Sequence, residues 1–205
     1  MDPGSNAVSD PAYMESIISF DALLTEFRLK AEPLGVVVHH VHDAVGAAAV
    51  MLDWEPLAEA LSVVVTSDVE RALQGTIEHL IANNVEIVAA ENPEQVRDRP
   101  VGLSLALAGV AETGSTLLAE SSLGDRSVGM LTLAQTIVVP ARALLPTLDD
   151  AALILQEIAT RPGASFQTLV TGPSRTADIE RVLTVGVQGP GKVMVIFVDS
   201  LGTME

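Results

Sequence analysis

Three short apolar runs, Val36–Val41, Leu61–Val65 and Val85–Ala89, are separated by segments of helical spacing, and this alternation restricts the chain to few folds. Between the first two, Ala44, Ala47, Ala48 and Met51 recur at helical intervals and are small enough to pack closely on a sheet. Between the second and third, Ser67 and Glu70 have capping-box spacing, and the helix they open extends to about Asn83. Strand, helix, strand, helix, strand is the pattern of parallel βαβ units with right-handed crossovers. Hydrophobic residues make up 48% of the chain and aromatics only 3%, so the core is built from Ala, Val, Leu and Ile, as in helix-covered parallel sheets. The expected fold class is α/β.

The rest of the chain fits one domain. Residues 1–10 are rich in Pro, Gly, Ser and Asp and read as a flexible N-terminal tail, leaving 11–205 as a single domain. From Pro11 the pattern is helical, with Phe20, Leu23, Leu24 and Phe27 on one face, ending near Pro33-Leu34-Gly35. Leu103–Ala111, Thr116–Glu120 and Met130–Val139 read as strands joined by short turns without full helices between them, some pairing antiparallel. Ser121-Ser122 reads as a hairpin end. Thr147 and Asp150 repeat the capping-box spacing before a helix that ends near Arg161-Pro162-Gly163, and Val193–Val198 is the last strand.

Composition excludes several classes of function. With 27 acidic against 11 basic residues and a net charge of −16, the chain lacks the clustered cations that nucleic acid or an acidic membrane surface requires. It has no cysteine, and so holds no disulfide and no thiolate-ligated zinc or iron–sulfur centre of its own. No segment approaches the ~20 apolar residues of a membrane span. The first residues lack the basic and apolar regions of a signal peptide, so a cytoplasmic location is expected.

Three segments qualify for chemistry at the carboxyl ends of strands, where ligands bind in open α/β sheets: Thr66-Ser67-Asp68, Glu112 to Ser115, and Thr171 to Thr176. Glu112 closes an almost uncharged run, so partial burial would raise its pKa and suit it to act as general base, nucleophile or ligand acceptor; the alternative is a carboxylate bonded to N–H groups of its own turn, helped by Thr113 and Gly114. In the other loop Gly172-Pro173 ends the strand Phe166–Val170, and Ser174 or Thr176 can cap a helix with Asp178 and Glu180 in its first turn. Thr171, Ser174, Thr176 and Arg175 around free N–H groups suit a phosphate or carboxylate; ordinary capping, with Arg175 paired to a surface acid, is the alternative. Gly189-Pro190-Gly191 reads as a tight turn. His40 and His42 share a strand face beside Asp43, a conceivable metal site without a third ligand placed by spacing, so no metal is assigned.

Glu112-Thr113-Gly114 after an apolar strand, Ile137-Val138-Val139-Pro140, the run Thr171-Gly172-Pro173-Ser174-Arg175-Thr176-Ala177-Asp178-Ile179-Glu180, and Gly186-Val187-Gln188-Gly189-Pro190 together resemble the lactate-utilisation C protein family, from about residue 20 to the end. The resemblance implies a LUD domain with the three-layer α/β/α sandwich of the NagB/RpiA/CoA-transferase-like superfamily. It further implies a non-redox accessory subunit of an L-lactate to pyruvate oxidation system, binding iron–sulfur partner proteins, a small anionic metabolite, or both. No cofactor of its own is implied, and a homo-oligomer is compatible with it. In CoA transferases of this fold a Glu before a Gly-containing turn is the nucleophile, and Glu112 resembles it by position, which makes a stand-alone transferase, isomerase or cyclo-ligase the alternative. Thr113, Gly114, Ser115, Thr171, Gly172, Ser174, Arg175 and Thr176 are the ligand-binding candidates beside it. The chain departs from the family where Leu105-Ala106-Leu107 replaces the usual Gly-Ala-Asp, and where Gln135 and Gln188 stand in place of His. Those departures support a third reading, a self-associating scaffold with a vestigial pocket.

Overall fold

The computed structural model describes residues 19–160, 166–177, 183–185 and 189–201. Its centre is a six-stranded sheet in which every neighbouring pair is parallel. In spatial order the strands are β1 (Val36–Asp43), β12 (Lys192–Ser200), β7 (Ala134–Pro140), β4 (Val101–Leu105), β2 (Ser62–Val65) and β3 (Glu86–Ala89). A second, four-stranded sheet has the order β8 (Leu144–Leu145), β5 (Ala108–Val110), β6 (Ser115–Glu120), β9 (Phe166–Val170). A hairpin of β10 (Arg175–Ala177) and β11 (Leu183–Val185) follows.

Because side chains alternate along a strand, β12 serves two cores. Met194, Ile196 and Val198 meet Ala47, Ala48 and Met51 of α2 (Ala44–Leu52), Leu57 of α3 (Glu55–Ala60), Val69 of α4 (Ser67–Ala72) and Leu80 of α5 (Gln74–Ala82). Val193, Val195 and Phe197 face the other way, against Leu23, Leu24 and Phe27 of α1 (Phe20–Ala31) and against Leu118 and Leu144 of the second sheet. Phe27 meets Phe197 edge-on, ring centroids 5.0 Å apart. Each such side chain, fully buried, contributes about 1.5–3 kcal/mol. A third cluster seats α6 (Pro93–Val96) and α7 (Leu123–Leu131) over Val64 through Val96 and Val128. Helices thus cover both faces of the parallel sheet, as expected, with the second sheet sharing one of them.

Several expectations need correction. The helix from Ser67 to Asn83 is two helices, interrupted at Leu73. Its N-cap is Thr66, and Ser67 gives its N–H to Asp125 rather than entering a capping box with Glu70. The run Leu103–Ala111 divides between two sheets, β4 in the first and β5 in the second. Ser121-Ser122 is not a hairpin end: Ser122 caps α7, accepting the Asp125 N–H at 3.0 Å, and part of the expected strand from Met130 belongs to that helix. The Thr147 and Asp150 pair does cap α8 (Leu148–Thr160), with Thr147 N–H donating to Asp150 at 3.1 Å and Asp150 N–H to Thr147 Oγ1 at 3.3 Å. The N-terminal tail, the first turns expected from Pro11 and the Arg161-Pro162-Gly163 stop lie outside the described residues.

Candidate functional site

β6 and β9 are antiparallel, with Thr116 opposite Val170, so the turn before β6 and the loop after β9 emerge side by side. Ser115 and Thr171 share a hydroxyl–hydroxyl hydrogen bond of 2.8 Å across that junction. Both segments press on the passage from α1 to β1. Gly114 has φ +63°, and a Cβ there would lie 2.8 Å from the Ala31 nitrogen, so the position requires glycine. Arg175 donates to the Leu34 carbonyl at 2.7 Å.

Ser174 N–H donates to the Pro190 carbonyl at 2.8 Å, drawing the Gly189-Pro190 turn against the same loop. A cleft of about 260 Å³ lies between them, lined by Gln135, Gly172, Ser174, Gly189 and Val193 among others. Gln135 is 1% exposed, and its side-chain amide donates to Ser104 Oγ at 3.2 Å. Gly189-Pro190 is therefore a cleft wall as well as a turn. Ser104 was not anticipated; its one signal in the sequence is a hydroxyl inside an otherwise apolar run.

The two motif loops do not lie at the carboxyl ends of the parallel strands. The Thr171 loop abuts the beginnings of β1, β12 and β7, where Leu34, Val36, Val193 and Gln135 are found, and the Glu112 turn lies against Lys30 and Ala31 at the end of α1 and against Pro146 and Leu148. Of the three segments, only Thr66-Ser67-Asp68 follows a strand of the six-stranded parallel sheet. Nor does the Ser174 loop open a helix: Arg175–Ala177 is strand β10, which removes helical N–H groups as an anion site. Asp178, Glu180 and Gln188 lie outside the described residues.

Glu112 is exposed rather than partly buried. Its Oε2 accepts the Leu148 N–H at 2.9 Å, where α8 begins, and its own N–H donates to the Pro146 carbonyl at 3.0 Å. It is absent from the cleft lining, as is Arg175. Thr113, next along, buries its hydroxyl oxygen without a hydrogen-bond partner. Ser115, Thr171, Gly172 and Ser174 are thus brought together; Glu112 serves a neighbouring helix.

At the carboxyl end of β2 the sequence showed one acid and the structure assembles three. Asp68 accepts from the Thr66 hydroxyl and from Val69 N–H; Asp125, 4% exposed, accepts from Ser67 N–H at 2.7 Å and Ser67 Oγ at 2.8 Å. Glu120 closes β6 beside them. Burial pushes the Asp68 and Glu120 carboxyls up from ordinary values, and the charge of Asp68 adds to the effect on Glu120. Asp125 and Glu120 gave no local motif, because their meeting depends on how the two sheets join.

His40 and His42 converge, but on Asp199 rather than Asp43. His40 Nε2 is 2.7 Å from Asp199 Oδ1, and His42 Nδ1 is 3.4 Å from Oδ2. The hydrogen bond from His40 is the main influence lowering the Asp199 pKa. Asp43 instead caps α2, accepting the Gly46 N–H at 2.9 Å. Among the described residues no set of three or more His, Asp or Glu side chains is arranged to hold a metal ion. No described helix is long and apolar enough to cross a membrane.

Comparison with known proteins bears on the same segments. Lactate utilization protein C of Bacillus subtilis is 37% identical over 113 residues, covering 53% of this chain and 46% of that protein. The Oceanobacillus iheyensis protein of the same name is 29% identical over 154 residues, covering 69% and 65%. An Escherichia coli protein, YkgG, is 29% identical over 145 residues, covering 67% and 63%. The chain thus spans about half the length of several of the relatives it matches. In three dimensions it is similar to a Deinococcus radiodurans protein of the DUF162 family, with a TM-score of 0.62, 17% identity, and coverage of 88% of this chain and 99% of that one. That likeness supports the α/β architecture. The model of the LUD domain matches residues 24–198, and the chain belongs to the LUD domain family.

Proposed function

We propose that this chain is a non-redox accessory subunit of an L-lactate utilisation system, working in the cytoplasm beside partner subunits that carry the iron–sulfur clusters. The similarity to proteins named lactate utilization protein C supports the system. The absence of cysteine supports the division of labour, since a thiolate-ligated cluster then belongs to a partner.

The observation that carries the ligand half of this reading is the junction at Ser115 and Thr171, where two separately coded motif segments meet at 2.8 Å beside a cleft. Its ligand is a small hydroxy- or carboxylate-bearing anion. The exposed Thr171 hydroxyl, which can donate outward while it accepts from buried Ser115, offers it a hydrogen bond beside the Gly172 wall of the cleft. Arg175 supplies the neighbouring positive charge, and the Gln135 amide gives the cleft an uncharged polar floor. Glu112 has the role of a positioning residue, holding α8 against the turn that carries Thr113 and Gly114.

Affinity purification of the tagged chain from its native cells grown on L-lactate tests the reading. Two cysteine-rich iron–sulfur proteins are expected to copurify. A chain that purifies alone and turns over acyl-CoA, with that activity abolished by Glu112→Ala, would replace the accessory role with a stand-alone enzyme.

A further inference from the structure

The acid cluster beyond β2 and β6 is unused by this reading, and it contains a group that the protein leaves incomplete. Glu120 is 8% exposed, and its Oε2 is buried without a hydrogen-bond donor. The groups whose charge reaches it are Asp68, Asp125 and Arg126. Arg126 is itself stacked on the Phe166 ring, 4.4 Å from its centroid. The carboxylates of Asp125 and Asp68 already have their donors in Ser67, Thr66 and Val69, whereas Glu120 Oε2 has none. A buried acceptor in this position is completed by a proton or by a cation that brings N–H groups.

A cleft of about 280 Å³ adjoins the cluster, with Ser67 and Asp125 belonging to both. Its other walls include Ser121, Ser122, Glu70 and Glu91. It lies where β2 and β3 end, the end of a parallel sheet at which ligands bind. Carboxylates on several sides repel an anion, and serine hydroxyls offer hydrogen bonds to a polar neutral group.

We propose that this cleft is a second ligand site, taking a small protonated amine that also carries a hydroxyl. The ammonium group offsets the charge of Asp125, Glu91 and Glu70 at the wall, and of Asp68 and Glu120 behind it; the hydroxyl is met by the serines. No bond is made or broken. Since a nearby cation favours ionised carboxyls, and burial holds the Asp68 and Glu120 carboxyls above their ordinary range, binding weakens on acidification as those two groups take up protons.

The test titrates the full chain with ethanolamine and, separately, with glycolate, a hydroxylated ligand of similar size and opposite charge, following backbone amide NMR signals. Ethanolamine is expected to move the amides of Ser67, Ser122 and Glu91, and glycolate to leave them in place. Affinity should fall about tenfold in Glu91→Gln, at the exposed rim, and in Glu120→Gln, whose binding should also depend less on pH, with Asp68 supplying what remains. Should Glu120→Gln fail to fold, Glu91→Gln carries the test. Glycolate shifting these amides as strongly as ethanolamine, ethanolamine shifting none of them, or unchanged affinity in Glu91→Gln would overturn the proposal.

Discussion

At one end of β6, Ser115 meets Thr171 hydroxyl to hydroxyl at 2.8 Å; at the other, Glu120 is buried with an oxygen that has no donor. The first end is uncharged at the contact, each hydroxyl being both donor and acceptor, so the pair completes itself at any ordinary pH. The second end gathers Glu120, Asp68 and Asp125, acceptors that outnumber their donors, and its energy depends on protons. One strand therefore joins a region indifferent to acidity to one governed by it. Each end is also closed by a glycine, Gly114 at the first and Gly124 at the second, where the chain approaches another backbone.

The largest effect is expected from Gly124→Ala. A Cβ at 124 would sit 2.0 Å from the Ala90 carbonyl oxygen, so α7 must withdraw from the end of β3 and carry Asp125 away from Ser67. A loss of about 3–4 kcal/mol in urea unfolding is expected. Gly114→Ala should cost about 2–3 kcal/mol, through its positive φ and the 2.8 Å approach to Ala31 N, while leaving the acid end intact. A double variant whose loss departs from the sum, or amide shifts in both variants that spread along all of β6, would show that the two ends are not independent.

The parallel units were readable because their strands and helices follow simple periods: Val36–Val41, Leu61–Val65 and Val85–Ala89 are close to the observed strands. The break inside Leu103–Ala111 was not, since an apolar run does not disclose which sheet it serves. Ala106 N–H donates to Val138 of the first sheet and Leu107 N–H to Leu117 of the second, so the chain changes sheet between adjacent residues. Helix α7 was hidden by Gly124, Ser127 and Gly129, weak helix formers offset by the Ser122 cap and by burial of Val128. At the candidate site, the sequence displayed Glu112 after its apolar run but not Leu148, whose N–H it accepts from across the fold. Thr171 and Ser115 were each visible; their meeting follows from the β6 and β9 register.

Acidity separates the two ends more gently. Glu120 and Asp68 have folded pKa values raised above the ordinary 4.5 and 3.8, so their contribution favours the folded state fully below those values and is lost as pH rises through the raised ones. Wild-type stability should therefore decline from about pH 4.5 upward because of this cluster, and Glu120→Gln should flatten the decline. Chemical denaturation at a series of pH values measures it. A slope that Glu120→Gln leaves unchanged would remove Glu120 as its source. Asp199 acts with the opposite sign: its lowered pKa favours the folded state above about 3.8, an effect that fades as pH falls.

The smallest effect concerns the hydroxyl pair. Ser115→Ala or Thr171→Val alone removes one hydrogen bond and leaves the other hydroxyl to find another partner. Ser115 is 3% exposed and Thr171 is exposed, so the penalties differ: an unpaired hydroxyl at Ser115 is stranded, while one at Thr171 turns to water. Thr171→Val is accordingly expected to cost more than Ser115→Ala, about 1–1.5 against 0.5–1 kcal/mol, although its side chain is the more accessible one. The double mutant should lose less than the sum, with a coupling of about 0.5–1 kcal/mol that does not change between pH 5 and about 8. A coupling that followed pH would connect this end of β6 to the carboxyls at the other, because neither hydroxyl titrates in that range.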